Sequence, residues 1–465
     1  MSSTAQDPAG RLPPGVKAPP LIQAALFLLY RDRLLTRTRR RFGDVFTVNL
    51  PVFGKSVIVA RPDLVKRVFT APGDVLVFGE ISPLGDLIGP GSLFSMDGEQ
   101  HLRERRLILP AFHGERMKGY EAIIEAEAQR EMAAWPEGQS FPTMPGFMRI
   151  TLNSILRTVF GAQAKDLADL AEVLPPLVTL ASRLTLLPLL RRDLGPGSPG
   201  RKLKRLRERY DAIIDRMIDA GLADPDLDER DDVMSMLLRA HYDDGSSMSR
   251  GAIKDELLTL LAAGHETTAT SLAWAVERLR RNPWILRRLV TEARDEAAGN
   301  ALRMATIQEV QRCRPVIPAT GRHALEDFPL GEWVVPKGHH IVVAARMIHH
   351  DARFFELPLQ FQPDRFLGVK PDTYTWVPFG GGLRRCPGAA FAHMEMDVVL
   401  RVFLRSFDLQ STDAEGEVWK DRGVAFAPGD GGLAVLSRRR ALSASAPTRS
   451  EPHTTPAAAD AVAAA

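Results

Sequence analysis

The sequence predicts a mainly α-helical chain with a small β region. Three observations carry this expectation. From Asp63 to Ala223 the apolar residues recur mostly with a helical period, broken by Pro and Gly. Ser249–Arg281 is the longest uninterrupted helical pattern in the chain. Strand-like texture is found in Asp44–Ala60 and again in the short segments after Arg312.

Taken in order, Met1–Pro20 is rich in Pro, Gly and Ser and reads as an irregular lead-in. Leu21–Tyr30, LIQAALFLLY, is the longest N-terminal apolar run. It is shorter than the ~20 residues that cross a bilayer, and no small-residue cleavage site follows it. A buried or surface-lying amphipathic helix is expected there, with no transmembrane anchor. DVFTVNLPVFGKSVIVA, Asp44–Ala60, reads as two strands around a Pro-Val-Phe-Gly turn. SPGRKLKRLRER, Ser198–Arg209, reads as a solvated helix face. Ser249 caps the long helix, Asn282-Pro283 ends it, and Trp284–Ala298 forms the next. The last residues, 441–465, lack any apolar period over Pro447–Ala465 and read as a disordered tail.

A chain of 465 residues suits two or three ordinary domains or one large enzyme domain. Lys+Arg 60 against Asp+Glu 57 leaves a net charge of +3, which gives nucleic-acid binding no support. Two cysteines, Cys313 and Cys386, exclude a disulfide scaffold and fit a reducing cytoplasm. No glycine-rich nucleotide loop follows a strand, so no fused flavin or nicotinamide domain is expected.

Cys386 sits in FGGGLRRCPGAAFA, Phe379–Ala392. Gly380, Gly381 and Gly382 allow tight turns and expose amide N–H groups. Pro387 suits the first turn of a helix running through His393 to Leu400, which would put Cys386 at a helix N-terminus. Arg384 and Arg385 add positive charge. All of this favours a thiolate. These local features leave metal ligation and a redox-reactive or catalytic thiol both open. AGHETT, Ala263–Thr268, interrupts the apolar centre of the long helix with polar groups, and Gly264 costs about 1 kcal/mol relative to Ala. A bend around Gly264 would open a groove against a flat cofactor. Glu309 and Arg312 of EVQR can pair as i, i+3. His101 and Arg105 of DGEQHLRERR share a helix face as i, i+4, which suits two carboxylates of a ligand. Cys313 reads as a small buried residue.

FGGGLRRCPG resembles the haem-binding loop of the cytochrome P450 monooxygenases, matching at Phe379, Gly382, Arg384, Cys386 and Gly388. AGHETT, EVQR with the later FQPDRF (Phe361–Phe366), and DGEQHLRERR match further family segments in order, from about Gly10 to Arg438. The resemblance implies the cytochrome P450 fold in one large domain, residues 21–440, holding haem b with Cys386 as the metal ligand. It implies cofactor contacts from His101, Arg105, Ala263, Gly264, Arg322, Phe379, Gly380, Arg384 and Gly388. Thr267 matches the threonine that hydrogen-bonds the bound dioxygen, and Glu266 the acid that connects it to solvent protons. Arg365 is expected to join the Glu309–Arg312 pair.

The reaction so implied inserts one atom of O2 into a C–H or C=C bond of a lipophilic small molecule such as a fatty acid, terpenoid or steroid. NAD(P)H electrons would arrive through a separate ferredoxin reductase and ferredoxin, docking near Arg103, Arg106 and Arg385. A cytoplasmic monomer is expected. The alternatives are a haem–thiolate peroxygenase or isomerase, and a haem-binding sensor.

Overall fold

The alternation in Asp44–Ala60 forms two strands, β1 (Val45–Leu50) and β2 (Gly54–Val59), paired antiparallel from Val45↔Val59 to Leu50↔Gly54. The computed structural model describes residues 12–439 apart from 80, 81, 83, 84, 115, 162–165, 186 and 424, so the expected tail and most of the lead-in lie outside the described residues. Before the hairpin runs α1 (Pro20–Phe42), kinked at Tyr30. Its Phe27, Leu35 and Phe42 pack against Phe46, Val48 and Ile58.

After the hairpin come α2 (Pro62–Phe69), β3 (Leu76–Val77), α3 (Gly85–Ile88), α4 (Gly98–Ile108), α5 (Arg116–Met132), β4 (Ser140–Pro142) and α6 (Met144–Phe160). Then follow α7 (Leu167–Leu184), α8 (Pro199–Leu222) and α9 (Val233–Arg239). The Pro and Gly breaks expected between Asp63 and Ala223 do not include Pro175-Pro176, through which α7 continues. Prolines there remove two backbone donors. Burial of Leu174, Leu177, Val178 and Ala181 on the same helix outweighs that loss.

The long helical pattern is α10 (Arg250–Leu279), 30 residues and so roughly 45 Å. The Ser249 hydroxyl caps it, accepting from Ala252 N at 3.1 Å. α11 (Pro283–Arg294) stops short of the expected Ala298 because Asp295 turns extended. α12 (Ala301–Cys313) leads into β5 (Thr320–Ala324), β6 (Phe328–Leu330), β7 (Trp333–Val335), β8 (His340–Val343) and α13 (Ala345–His349). The chain closes with α14 (Ala389–Ser406), β9 (Phe407–Leu409), β10 (Trp419–Asp421), β11 (Phe426–Pro428) and β12 (Leu433–Arg438).

The largest sheet has the order β1-β2-β8-β5-β3, with β2 and β8 parallel and the other pairs antiparallel. A second sheet runs β4-β12-β9. One core fills the space among the helices around α6, α10 and α14, and a smaller one lies under the large sheet.

A buried clamp joins these parts to the cysteine segment. Arg312 donates to both carboxylate oxygens of Glu309, at 2.7 and 2.8 Å, and neither side chain is exposed. Its other donors reach His349 O at 2.6 Å, Pro358 O at 2.8 Å and Gln360 O at 3.2 Å. Arg365 lies 3.1 Å from Glu309, as expected from FQPDRF. His349 Nε2 accepts from Val377 N at 2.9 Å, two residues before Phe379. Burial, with His350 and Arg312 nearby, pulls the His349 pKa down to about 3, so the ring stays a neutral acceptor. Cys313 is buried, and burial pushes its thiol up to about 11. Arg314, the residue after it, stacks over Trp274 at 5.3 Å and Trp419 at 5.8 Å.

Candidate active site

The glycines of the cysteine loop have distinct reasons to be glycine. Gly380 and Gly382 have φ of +65° and +63°, where a side chain is strained. A Cβ on Gly381 would sit 2.1 Å from the Phe69 ring, and one on Gly382 would sit 1.7 Å from Phe69 O. The loop therefore lies directly against the end of α2. Cys386 N donates to Phe379 O at 3.0 Å, closing the turn. Phe379 packs edge-on against His393, with ring centroids 5.1 Å apart.

The helix after the cysteine starts later than its sequence suggests. α14 begins at Ala389 with Gly388 as its N-cap, so Pro387 lies outside the first turn and Cys386 lies two residues before the cap. Burial pushes the Cys386 thiol up, opposed by the Gly388 N–H and by the charges of Arg105 and Arg385. The expected ionising groups are present but weaker than burial; a bound metal cation would reverse the balance.

Positive charge converges on one side of this loop. His101 is 4% exposed and its pKa falls to about 3, through burial first and then Arg384, Arg105 and Arg322. Arg322 is buried, and burial with the Arg384 charge brings it down to about 10. It donates to Gly321 O at 2.7 Å. Arg384 donates to Leu93 O at 2.9 Å and also engages Met96 O and Asp97. His101, Arg322, Arg384 and Asp97 line one small cavity, in which Asp97 is the one carboxylate. With His101 neutral and Arg384 paired to Asp97, Arg322 is the cation left over among the residues lining this cavity, and a buried cation calls for an anionic partner.

α10 shows the complementary feature. It is buried along most of its length, yet Ala263 is exposed and Ala262, Gly264 and Thr267 are half-buried at its centre. The expected bend at Gly264 does not break the helix, which stays one continuous run. A Cβ on Gly264 would lie 3.3 Å from Ile155 of α6, so the glycine permits close helix packing there. Thr267 Oγ1 donates to Ala263 O at 2.8 Å. Glu266 Oε1 accepts from Arg422 Nε at 2.9 Å. His265 is buried, with Nδ1 2.8 Å from Leu261 O.

An uncovered strip of small side chains in a buried helix, a buried cationic cluster, and a half-buried cysteine in a glycine turn fit a flat, dianionic cofactor with a thiolate-bound metal. Haem meets that description.

Some partners escaped sequence reasoning. Arg422 lies 156 positions from Glu266 in an irregular turn, and no spacing signals the pair. Glu395 on α14 is wholly buried, and burial pushes its carboxyl well above the ordinary range, with Thr268 as its polar neighbour. A lone Glu amid AAFAHMEMDVV does hint at this, since a charge on an apolar helix face needs explanation. Arg103 and Arg106, expected to border the docking face, also reach acidic residues beyond α9. Arg103 lies 2.7 Å from Asp244 and stacks on Tyr242 at 3.8 Å, and Arg106 lies 3.8 Å from Asp243.

The family model for Cytochrome P450 matches residues 13–431. A chain of Mycobacterium tuberculosis strain H37Rv with the provisional name cytochrome P450 138 is 51% identical over 434 residues, covering 93% of this chain and 98% of that one. Another from the same strain, provisionally named cytochrome P450 135B1, is 38% identical over 453 residues, covering 96% of each. Among solved structures, a retinoic-acid-bound cyanobacterial CYP120A1 shares the fold with a TM-score of 0.81 at 23% identity, covering 93% of this chain and all of that one. The cytochrome P450DA heme domain does so with a TM-score of 0.78 at 21% identity, covering 93% and 98%. With its family model matched over most of its length and relatives this similar, the chain belongs to the cytochrome P450 family and is a haem–thiolate monooxygenase.

Proposed function

We propose that Cys386 holds the haem, that His101, Arg105, Arg322 and Arg384 receive its two carboxylates, and that the substrate is a lipophilic small molecule. Ala263 and Gly264 would flank the cofactor, with Phe379, Gly380 and Gly388 shaping the loop beneath it. Haem held through a thiolate supplies the O–O cleavage and oxygen-insertion chemistry. The observation that carries the reading is the Glu266–Thr267 step beside the uncovered strip of α10.

Glu266 is buried and held at one oxygen by Arg422, whose own side chain is a third exposed. The ion pair therefore spans from solvent to the helix interior. Releasing Arg422 lets Glu266 take a proton from water and turn it inward. Thr267 spends its hydroxyl proton on Ala263 O, which leaves its oxygen free to accept and orient. An apolar site follows from the residues around α10: Leu93, Val316 and Phe426 are apolar and nearly buried, and Phe94 and Ile317 are partly so. A lipophilic substrate suits such walls.

Thr267→Ala is expected to uncouple the enzyme: electron use persists, hydrogen peroxide rises and product per electron falls several-fold. Glu266→Gln is expected to slow turnover about 10²-fold, the usual scale for a lost general acid. Unchanged product per electron in Thr267→Ala would overturn the proton-delivery role.

For the electron donor, an acidic ferredoxin reduced by an NAD(P)H-dependent reductase is the partner whose charge fits. Arg105, His113, Arg385 and His393 line a cavity of about 230 Å³ that reaches Cys386. With Arg103 and Arg106 paired to aspartates, docking charge falls chiefly on Arg385. Arg385→Glu should slow the first electron transfer roughly tenfold at low salt and little at high salt, with haem content unchanged. Equal rates at low salt would exclude this face.

A further inference from the structure

One residue beside α10 has its backbone held on both sides by charged groups. The segment 89–96, between α3 and α4, lies directly against the first half of α10: a Cβ on Gly91 would sit 2.6 Å from Ala252 Cα. Gly91 N donates to Asp255 Oδ2 at 2.9 Å, and Thr259 Oγ1 donates to Ser92 Oγ at 2.7 Å. Leu93 is the pivot. Its N–H donates to Glu256 Oε2 at 2.9 Å, and its carbonyl accepts from Arg384 Nη1 at 2.9 Å. Arg384 belongs to the cysteine loop, so a carboxyl on α10 and an arginine of that loop are joined through a single residue.

Glu256 has no cation of its own. It is 1% exposed, and its Oε1 has no hydrogen-bond partner among the described residues. Glu104 on α4 is buried too, and its Oε2 is likewise without a partner among them. Burial pushes the Glu256 carboxyl up to about 8; the Leu93 N–H opposes this, and the charges of Glu104 and Asp255 add to it. Nearby cations are engaged with other acids. Arg207 of α8 pairs with Asp211 and Asp255, and Arg103 of α4 with Asp244. Tyr242, after α9, donates to Glu104 Oε1, and Tyr210 of α8 donates to Lys254 O at 3.0 Å. Burial pushes both phenols up, so they stay neutral. The segment 89–96 brings no titratable side chain.

We propose that Glu256 and Glu104 share one proton at neutral pH, and that this proton positions Leu93 and, through it, Arg384. One O–H···O bond between the two carboxyls gives both orphaned oxygens a partner. Two bare carboxylates buried together without a cation would repel instead. Glu256 is then a positioning residue. It touches neither haem nor substrate, but its charge state sets the backbone that places the Leu93 side chain and offers Arg384 its carbonyl. The consequence at the cofactor rests on the reading that Arg384 receives a haem carboxylate. A carboxyl raised in the folded chain keeps a proton that the unfolded chain has released. Stability therefore falls as pH rises from the ordinary carboxyl range to about 8, and levels off above it. Above that value Glu256 is charged beside Glu104, the Leu93 segment loosens, and Arg384 loses its fixed acceptor.

Infrared difference spectra of the haem-loaded full chain, taken across a pH titration, test the shared proton. A protonated-carboxyl C=O band should be present at neutral pH, vanish with a midpoint near about 8, and be missing from Glu256→Gln. Glu395 is pushed up as well, so the comparison with Glu256→Gln isolates the band. Glu104→Gln should move the midpoint downward, because it removes a neighbouring charge. The rate of haem transfer to excess apomyoglobin tests the positioning. It should rise at least about threefold between about pH 7 and about pH 9 in the unsubstituted chain and stay flat in Glu256→Gln, whose amide keeps an acceptor for Leu93 and a donor for Glu104. Arg384→Gln separates the two readings: its haem loss should be fast at every pH while the band still titrates. No band at neutral pH, or a midpoint that Glu104→Gln leaves in place, overturns the shared proton, and both can be read even if Glu256→Gln does not fold. Haem loss that keeps its pH dependence in Glu256→Gln overturns the positioning role. Haem loss in Arg384→Gln as slow as in the unsubstituted chain, with the band still titrating, puts the fault in the reading of Arg384 and not in the shared proton.

Discussion

Arg312→Ala is expected to destabilise the protein by about 3–5 kcal/mol, the usual cost of stripping one partner from a buried ion pair. Arg312 and Glu309 have no exposed side-chain surface. The substitution leaves the Glu309 carboxylate buried with Arg365 and the Gln362 N–H as its remaining partners. It also strands the carbonyls of His349, Pro358 and Gln360, each an unmet acceptor in an interior that admits little water. Arg312→Lys keeps the charge but cannot reproduce the fork that grips both carboxylate oxygens, so it should recover only part of the loss. Haem retention should fall with stability, because His349 ties this clamp to Val377 and so to the cysteine segment. Denaturant unfolding of the haem-free chains measures the effect. A difference below about 1 kcal/mol would mean the clamp does not hold the fold.

Cys386→Ser is expected to abolish monooxygenase turnover while leaving the chain folded. The cysteine is half-buried at a loop whose shape depends on Gly380, Gly381, Gly382 and the Cys386 N–H to Phe379 O bond. None of these is altered by exchanging sulfur for oxygen. A serine hydroxyl is a far weaker anion than a thiolate and a harder ligand, so the electron donation that promotes O–O cleavage is lost. Haem-free unfolding should therefore match that of the unsubstituted chain within about 1 kcal/mol, while turnover falls by more than about 10³-fold. Retained turnover would remove Cys386 from the centre of the site.

The long helix, the first hairpin and the buried Glu309–Arg312 pair were legible because each rests on local pattern. Ser249 and the Asn282-Pro283 stop bracket α10, and an i, i+3 pair needs only one helix turn. What failed to show in sequence depends on tertiary packing. Pro175-Pro176 looks like a break until the apolar face of α7 is buried. Gly264 stands out in the sequence as a helix-weakening residue, but only the structure shows Ile155 of α6 packed beside it. Pro387 looks like a first-turn residue, but Gly388 takes the cap position. Only the structure shows that the segment after α9 brings Asp243 and Asp244 alongside Arg103 and Arg106. The candidate site follows the same division. Cys386, Glu266 and Thr267 stand in short motifs, whereas Arg422 reaches Glu266 only because the β10–β11 hairpin folds against α10.

The central claim is that the Cys386 thiolate binds haem between its loop and the uncovered strip of α10. Absorption of the reduced, carbon-monoxide-bound protein tests it most directly, compared between the unsubstituted chain and Cys386→Ser or Cys386→His. The account predicts the long-wavelength Soret band of thiolate ligation in the unsubstituted protein and its disappearance in both variants, with haem still bound in at least the histidine variant. A long-wavelength band that survives either substitution would contradict it.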